Sequence, residues 1–154
     1  IALITTAASG KKNTEPGPDD FYFRCKIDGR LYIPNSCANC IPCTLLGDTT
    51  FLLGGNAGYE SILIGVINVT NEPIKTTAYK LNNNPRQKAS YDNSTLVADI
   101  YETDSIKKGE IQILTLDKTK RIIQGTFYFR AYNPYRNDSV SVTDGKFRLK
   151  YTID

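Results

Sequence analysis

The chain has 154 residues, 40% of them hydrophobic, and 19 Lys and Arg against 16 Asp and Glu give a net charge of +3. This length fits one domain with a sizeable core, and so mild a charge, with both signs interspersed, leaves no footprint for nucleic acid. His, Trp and Met are absent, which excludes a His-based triad, a His-ligated metal and an imidazole base.

The chain opens Ile1-Ala2-Leu3-Ile4-Thr5-Thr6-Ala7-Ala8-Ser9, apolar and then small, like the end of a secretory signal. Export is the expectation, and an ordinary N-terminal strand is the alternative. Gly10, rather than Cys, follows Ser9, so this stretch does not support a lipid anchor. Residues 11–20 contain Pro16, Gly17 and Pro18 among polar side chains and read as a tether. The predicted organisation is an apolar segment over 1–10, the tether over 11–20, and one β-domain over 21–154. No run of about 20 apolar residues is present to cross a bilayer as a helix.

Phe21, Phe23, Cys25 and Ile27 alternate with Tyr22, Arg24 and Lys26, which predicts a strand with one apolar face. Asp28-Gly29 marks a hairpin, with Arg30 to Ile33 returning and Pro34 ending it. A cysteine loop follows, then a strand over 50–53 and a glycine turn at Gly54-Gly55-Asn56-Ala57-Gly58. Residues 60–69 are apolar on both faces and predict a central strand. Strands over 76–81 and 95–102 flank the breaker Asn82-Asn83-Asn84-Pro85.

In the last third, Glu110–Leu116 and Arg121–Tyr132 are strands about a turn at Asp117-Lys118-Thr119-Lys120. Another turn at 133–138 leads to a strand from Ser139, a kink at Asp144-Gly145, and a closing strand over 146–153. No segment carries a clean helical period, so the predicted class is all-β, an antiparallel meander forming a sandwich or flattened barrel. Ile123, Phe127, Phe129, Ala131, Phe147, Leu149 and Tyr151 fall on the core side. Tyr128, Arg130, Tyr132, Arg148 and Lys150 fall on the opposite, solvated side. Aromatic and cationic side chains on one outward face can stack sugars or meet anionic partners, so these five are the candidate binding residues. An ordinary exposed sheet face is the alternative.

The cysteines are Cys25, Cys37, Cys40 and Cys43, the last three spaced C-x-x-C-x-x-C. Two disulfides fit an even count in an exported chain, with the pairing left open. A four-thiolate zinc or iron–sulfur site and a redox C-x-x-C are the alternatives. The expectation is disulfides, with no metal and no cofactor. Asp99, Glu102 and Asp104 are close in sequence but read as a strand end and turn on the solvated surface.

The opening Phe21-Tyr22-Phe23-Arg24-Cys25-Lys26-Ile27-Asp28-Gly29-Arg30-Leu31-Tyr32-Ile33-Pro34 resembles the F-x-C-x-V-(D/N)-G-K-x-(W/F)-x-P start of an uncharacterised family of Bacteroidota envelope lipoproteins. Ile122 to Ala131 is similar to that family's I-(S/T)-G-T-F-x-F-x-A strand, and Val140 to Phe147 to its V-x-I-T-(D/N)-G-x-F close. The resemblance implies a signal-bearing, envelope-associated β-domain of unassigned function and brings no catalytic residues. The triple-cysteine loop and the missing lipobox Cys depart from that pattern. Asp104-Ser105-Ile106, Asp138-Ser139-Val140 and, less well, Asp48-Thr49-Thr50 look like the O-glycosylation site of that phylum. Asn68, Asn93 and Asn137 open N-x-(S/T) sequons.

Together these readings predict a non-catalytic exported protein at the cell surface, outer membrane or periplasm of a Gram-negative bacterium. It would bind a protein partner of an envelope assembly, or a glycan. A second reading is an assembly subunit in which residues 1–10 add as a strand to another copy. The tether reaches about 33 Å when extended, and edge pairing supplies the affinity. A small metal-free hydrolase is a third.

Overall fold

The computed structural model describes residues 15–68, 70–82, 86–93 and 99–154, and every structural statement below concerns these. The apolar segment 1–10, the start of the tether and part of the predicted 95–102 strand lie outside them.

Side chains that alternate in polarity alternate between core and solvent, as a pleated backbone requires. The strands are β1 (Tyr22–Ile27), β2 (Arg30–Tyr32), β3 (Cys43–Leu46), β4 (Thr50–Ala57), β5 (Glu60–Ile67) and β6 (Ala78–Leu81). They continue as β7 (Gln87–Asn93), β8 (Ile100–Glu102), β9 (Gly109–Asp117), β10 (Ile122–Asn133), β11 (Asp138–Lys150) and β12 (Thr152–Ile153). No helix occurs among the described residues, so none is long and apolar enough to cross a membrane.

All strands belong to one sheet in the order β12-β3-β4-β5-β7-β8-β10-β11-β1-β2, with β9 also on β10 and β6 on β9. Every pairing is antiparallel except β12 with β3. The sheet does not close; it folds over itself as a sandwich. Phe51 of β4 lies 6.3 Å from Phe147 of β11, ring to ring, though four strands separate them along the sheet. Long β10 makes the fold-over possible: Ile122 to Phe129 pair with β9, whereas Tyr132 pairs with Glu102 of β8. Phe23, Phe51, Phe127, Phe147, Ile64 and Ile111 fill the space between the layers, each at most 2% exposed.

Several local expectations need correction. Phe21 was expected on the buried face of the first strand; it precedes β1 and is 55% exposed. Gly54 to Ala57 is strand, not turn, and the hairpin falls later, at Gly58, where φ is +68°. The glycines mark close packing: a Cβ on Gly55 would stand 2.6 Å from Pro34 Cγ and 3.0 Å from the Phe23 ring. Cys43–Leu46 and Gln87–Asn93 are strands that went unread. The expected kink at Asp144-Gly145 is a β-bulge inside continuous β11. Both neighbours shift register there, and Asp144 has φ +52°.

Candidate binding face and end cleft

The outward side of β10 and β11 carries the five residues singled out from sequence, and the pleat explains why they share it. Thr126 pairs with Lys146, Gln124 with Arg148 and Ile122 with Lys150, and their inward neighbours Phe127, Phe147 and Leu149 are buried. Tyr128 is 55% exposed, and a cross-strand row places Lys80, Glu110 and Tyr128 side by side over β6, β9 and β10. Arg130 and Lys150 are exposed.

Two of the five are otherwise engaged. Tyr132 donates its hydroxyl to Asn137 Oδ1 at 2.8 Å. Arg148 is held by the residues that precede β1: it donates to the Asp19 carbonyl at 2.7 Å, and its guanidinium lies 5.3 Å from the centre of the Phe21 ring. Arg24 on neighbouring β1 pairs with Glu15 and holds that carboxyl below its usual range, and Lys26 pairs with Asp144 at 2.9 Å. The described part of the predicted tether is therefore fastened across the basic face. Sequence reasoning missed this; its signal was Glu15, Asp19 and Asp20 standing just ahead of a cationic strand.

The cysteines divide. Cys37 and Cys40 are bridged, three residues apart. Cys25 and Cys43 are free and buried, so the expectation of two disulfides is corrected to one. They sit in different surroundings: Cys25 pairs with Tyr32 and has Arg30 and Glu60 as its charged neighbours, while Cys43 pairs with Leu53 and lies near Tyr151. Burial pushes each thiol up to about 12. No group of three acidic or thiol side chains among the described residues could hold a metal ion.

A second site was not anticipated. At one end of the sandwich a cleft of about 310 Å³ opens between turns far apart in sequence. The β1–β2 turn supplies Asp28 and Arg30, β7 and β8 supply Tyr91 and Tyr101, and the β10–β11 turn supplies Arg136 and Asp138. Asp99, expected on the solvated surface, lines this cleft and is 5% exposed. Arg136 Nε stands 2.5 Å from Asp99 Oδ1, an ion pair that offsets the burial of the carboxylate. Tyr91 and Tyr101 are a cross-strand pair with ring centres 5.9 Å apart. Tyr91 donates to Glu60 Oε1 at 2.6 Å, and Arg30 pairs with the same oxygen. Burial, then Asp138, pushes the Tyr101 phenol up; Arg136 opposes, and Asp99 and Asp28 add to the rise. That phenol stays protonated at neutral pH and can both donate and accept.

The form of an open all-β sandwich with a basic outward face and a polar end cleft names no activity and no ligand. The sequence model of a family described as "Domain of unknown function (DUF6252)" matches residues 20–149, and the chain belongs to that family. No curated protein and no solved structure matches the chain.

Proposed function

We propose that this is a non-catalytic domain of an exported, envelope-associated protein of a Gram-negative bacterium, and that it docks an acidic partner on the outward face of β1, β11, β10 and β9. The observation that carries the reading is the fastening of the chain's own acidic segment to that face, Glu15 on Arg24 and Asp19 on Arg148. A surface that already holds two carboxylates by charge, with Tyr128, Arg130 and Lys150 still exposed beside them, suits a further acidic stretch. The apolar start, the resemblance to Bacteroidota envelope lipoproteins and the Cys37–Cys40 bridge support an oxidising, exported setting. Glycosylation belongs to the same reading. Asp104-Ser105-Ile106 lies in the turn between β8 and β9, where Ile106 is 78% exposed.

The test is crosslinking capture from an envelope fraction with the intact domain and with a Tyr128→Ala, Arg130→Ala double variant. A partner that is lost from the double variant, and lost from the parent as salt rises, meets the expectation. Full retention by a double variant that melts like the parent overturns the docking face.

The assembly reading has one observation in its favour: the sheet is open, and β2, β6 and β12 each pair on one side only among the described residues. Deleting residues 1–10 tests it. Unchanged assembly after the deletion rules out strand exchange through that segment.

A further inference from the structure

The end cleft differs from the basic face in one chemical respect: it presents both signs at close quarters. Asp28, Asp99 and Asp138 bring three carboxylates, and Arg30 and Arg136 bring two guanidinium groups. A cationic ligand meets the arginines, and an anionic ligand meets the aspartates. A metal ion has no cluster to hold it among the described residues. A ligand whose every polar group both donates and accepts satisfies the two signs together, and a neutral hydroxyl is such a group.

The unmet hydrogen-bonding capacity of the walls points the same way. Asp28 and Asp138 each commit one oxygen to the backbone: Asp28 Oδ1 accepts from Ser141 N–H at 2.8 Å, and Asp138 Oδ1 accepts from Ser139 N–H at 2.7 Å. Asp99 Oδ1 is buried against Arg136 Nε at 2.5 Å, so Asp99 fixes that guanidinium in the wall of the cleft. The second oxygens of Asp28 and Asp138 are left to accept from a ligand O–H. Tyr101 lines the cleft together with Asp138, Arg136, Asp99 and Asp28. At about 310 Å³ the cleft is at the small end of the about 300–1,000 Å³ range of ligand pockets, room for a small unit rather than an extended chain.

We propose that the end cleft binds a single neutral saccharide unit, with Asp28 and Asp138 accepting from its hydroxyls, Arg136 donating to them, and Tyr101 doing both. This site is separate from the basic face and stands or falls independently of it.

Amide chemical shifts of the full chain, titrated with defined probes up to about 10 mM, test the proposal. Neutral probes are maltotetraose, mannotetraose, xylotetraose and N-acetylchitotetraose; a heparin disaccharide and spermidine represent the two charges. The expected result is movement of Tyr101, Arg136 and Ser139 amides with at least one neutral tetrasaccharide. Tyr101→Phe, which keeps the ring packing and removes only the hydroxyl, should weaken that binding about tenfold. Asp138→Asn, which keeps the acceptor for Ser139 N–H, should weaken it similarly, provided its spectrum shows a folded chain. The Tyr128→Ala, Arg130→Ala variant should bind the sugar unchanged. Cleft movement with only the charged probes, no movement with any probe, or parental affinity in Tyr101→Phe overturns the proposal.

Discussion

Asp28 and Ser141 are tied by two hydrogen bonds: the Asp28 N–H donates to the Ser141 carbonyl, and the Ser141 N–H donates to Asp28 Oδ1, each at 2.8 Å. Asp28 also turns the β1–β2 hairpin at φ +47°, a conformation that Asp and Asn tolerate better than residues with plain side chains. Asp28→Ala should therefore lower stability by about 1–2 kcal/mol in a urea titration. Asp28→Asn keeps an acceptor oxygen and should lose less than about 1 kcal/mol. Equal losses would show that the side-chain bond contributes nothing.

Gly125 offers a sharper contrast. A Cβ there would collide with the Gln112 carbonyl of the neighbouring strand and stand 2.8 Å from Phe147 Cζ, with backbone on one side and core on the other. Gly125→Ala should cost more than about 3 kcal/mol and is expected to abolish folding. Gly65→Ala meets only Leu52 Cδ2 at 3.5 Å and should change stability by less than about 1 kcal/mol.

Thiol counting checks the cysteine assignment. Without reductant, the unfolded protein should react at two thiols and the native protein at neither, since Cys25 is 1% and Cys43 is 6% exposed. One pH consequence follows. Both thiols rise from an ordinary 9.0 to about 12 on folding. Above pH 9 the unfolded chain ionises them first, so their contribution is full below that pH and is lost between pH 9 and 12. Burial raises Tyr32 and Tyr91 in the same direction. Chemical denaturation midpoints at pH 8 and pH 10.5 should fall, and Cys25→Ala with Cys43→Ala should reduce the fall.

Arg148 should act as a latch. Its side chain is 14% exposed because the Asp19 carbonyl and the Phe21 ring cover it. Arg148→Ala should leave the melting temperature close to the parent's, since the strand pairs of β11 persist. It should speed proteolysis within residues 11–20 several-fold. Unchanged cleavage would mean that the segment is held by Glu15 and Arg24 alone.

The strands with strict alternation were legible because period 2 fixes which side chains meet. Ile123, Phe127 and Phe129 went to the core, and Tyr128 and Arg130 to solvent, as β10 was read. Gln87–Asn93 escaped because only Ala89 and Tyr91 face inward and the polar outward residues dilute the pattern. Gly54 and Gly55 misled because a glycine that permits a turn and a glycine that admits a neighbouring ring look alike in sequence. The cleft was illegible for a different reason. Asp28, Asp99, Tyr101 and Arg136 come from three stretches far apart in the chain, and no local spacing links them. Even the burial of Asp99 depends on Arg136 arriving from another hairpin.

Pairing between the two ends of the chain sets the order in which the molecule can be completed. β1 finds its second neighbour only in β11, and β3 finds one only in β12, the final strand. A chain emerging from the ribosome therefore carries β1 and β3 half-paired until β11 and β12 have been made. Such long-range closure folds slowly. Loss of β11 and β12 would remove partners from β1, β3 and β10 at once, so a chain stopped before them has no smaller native form to settle into.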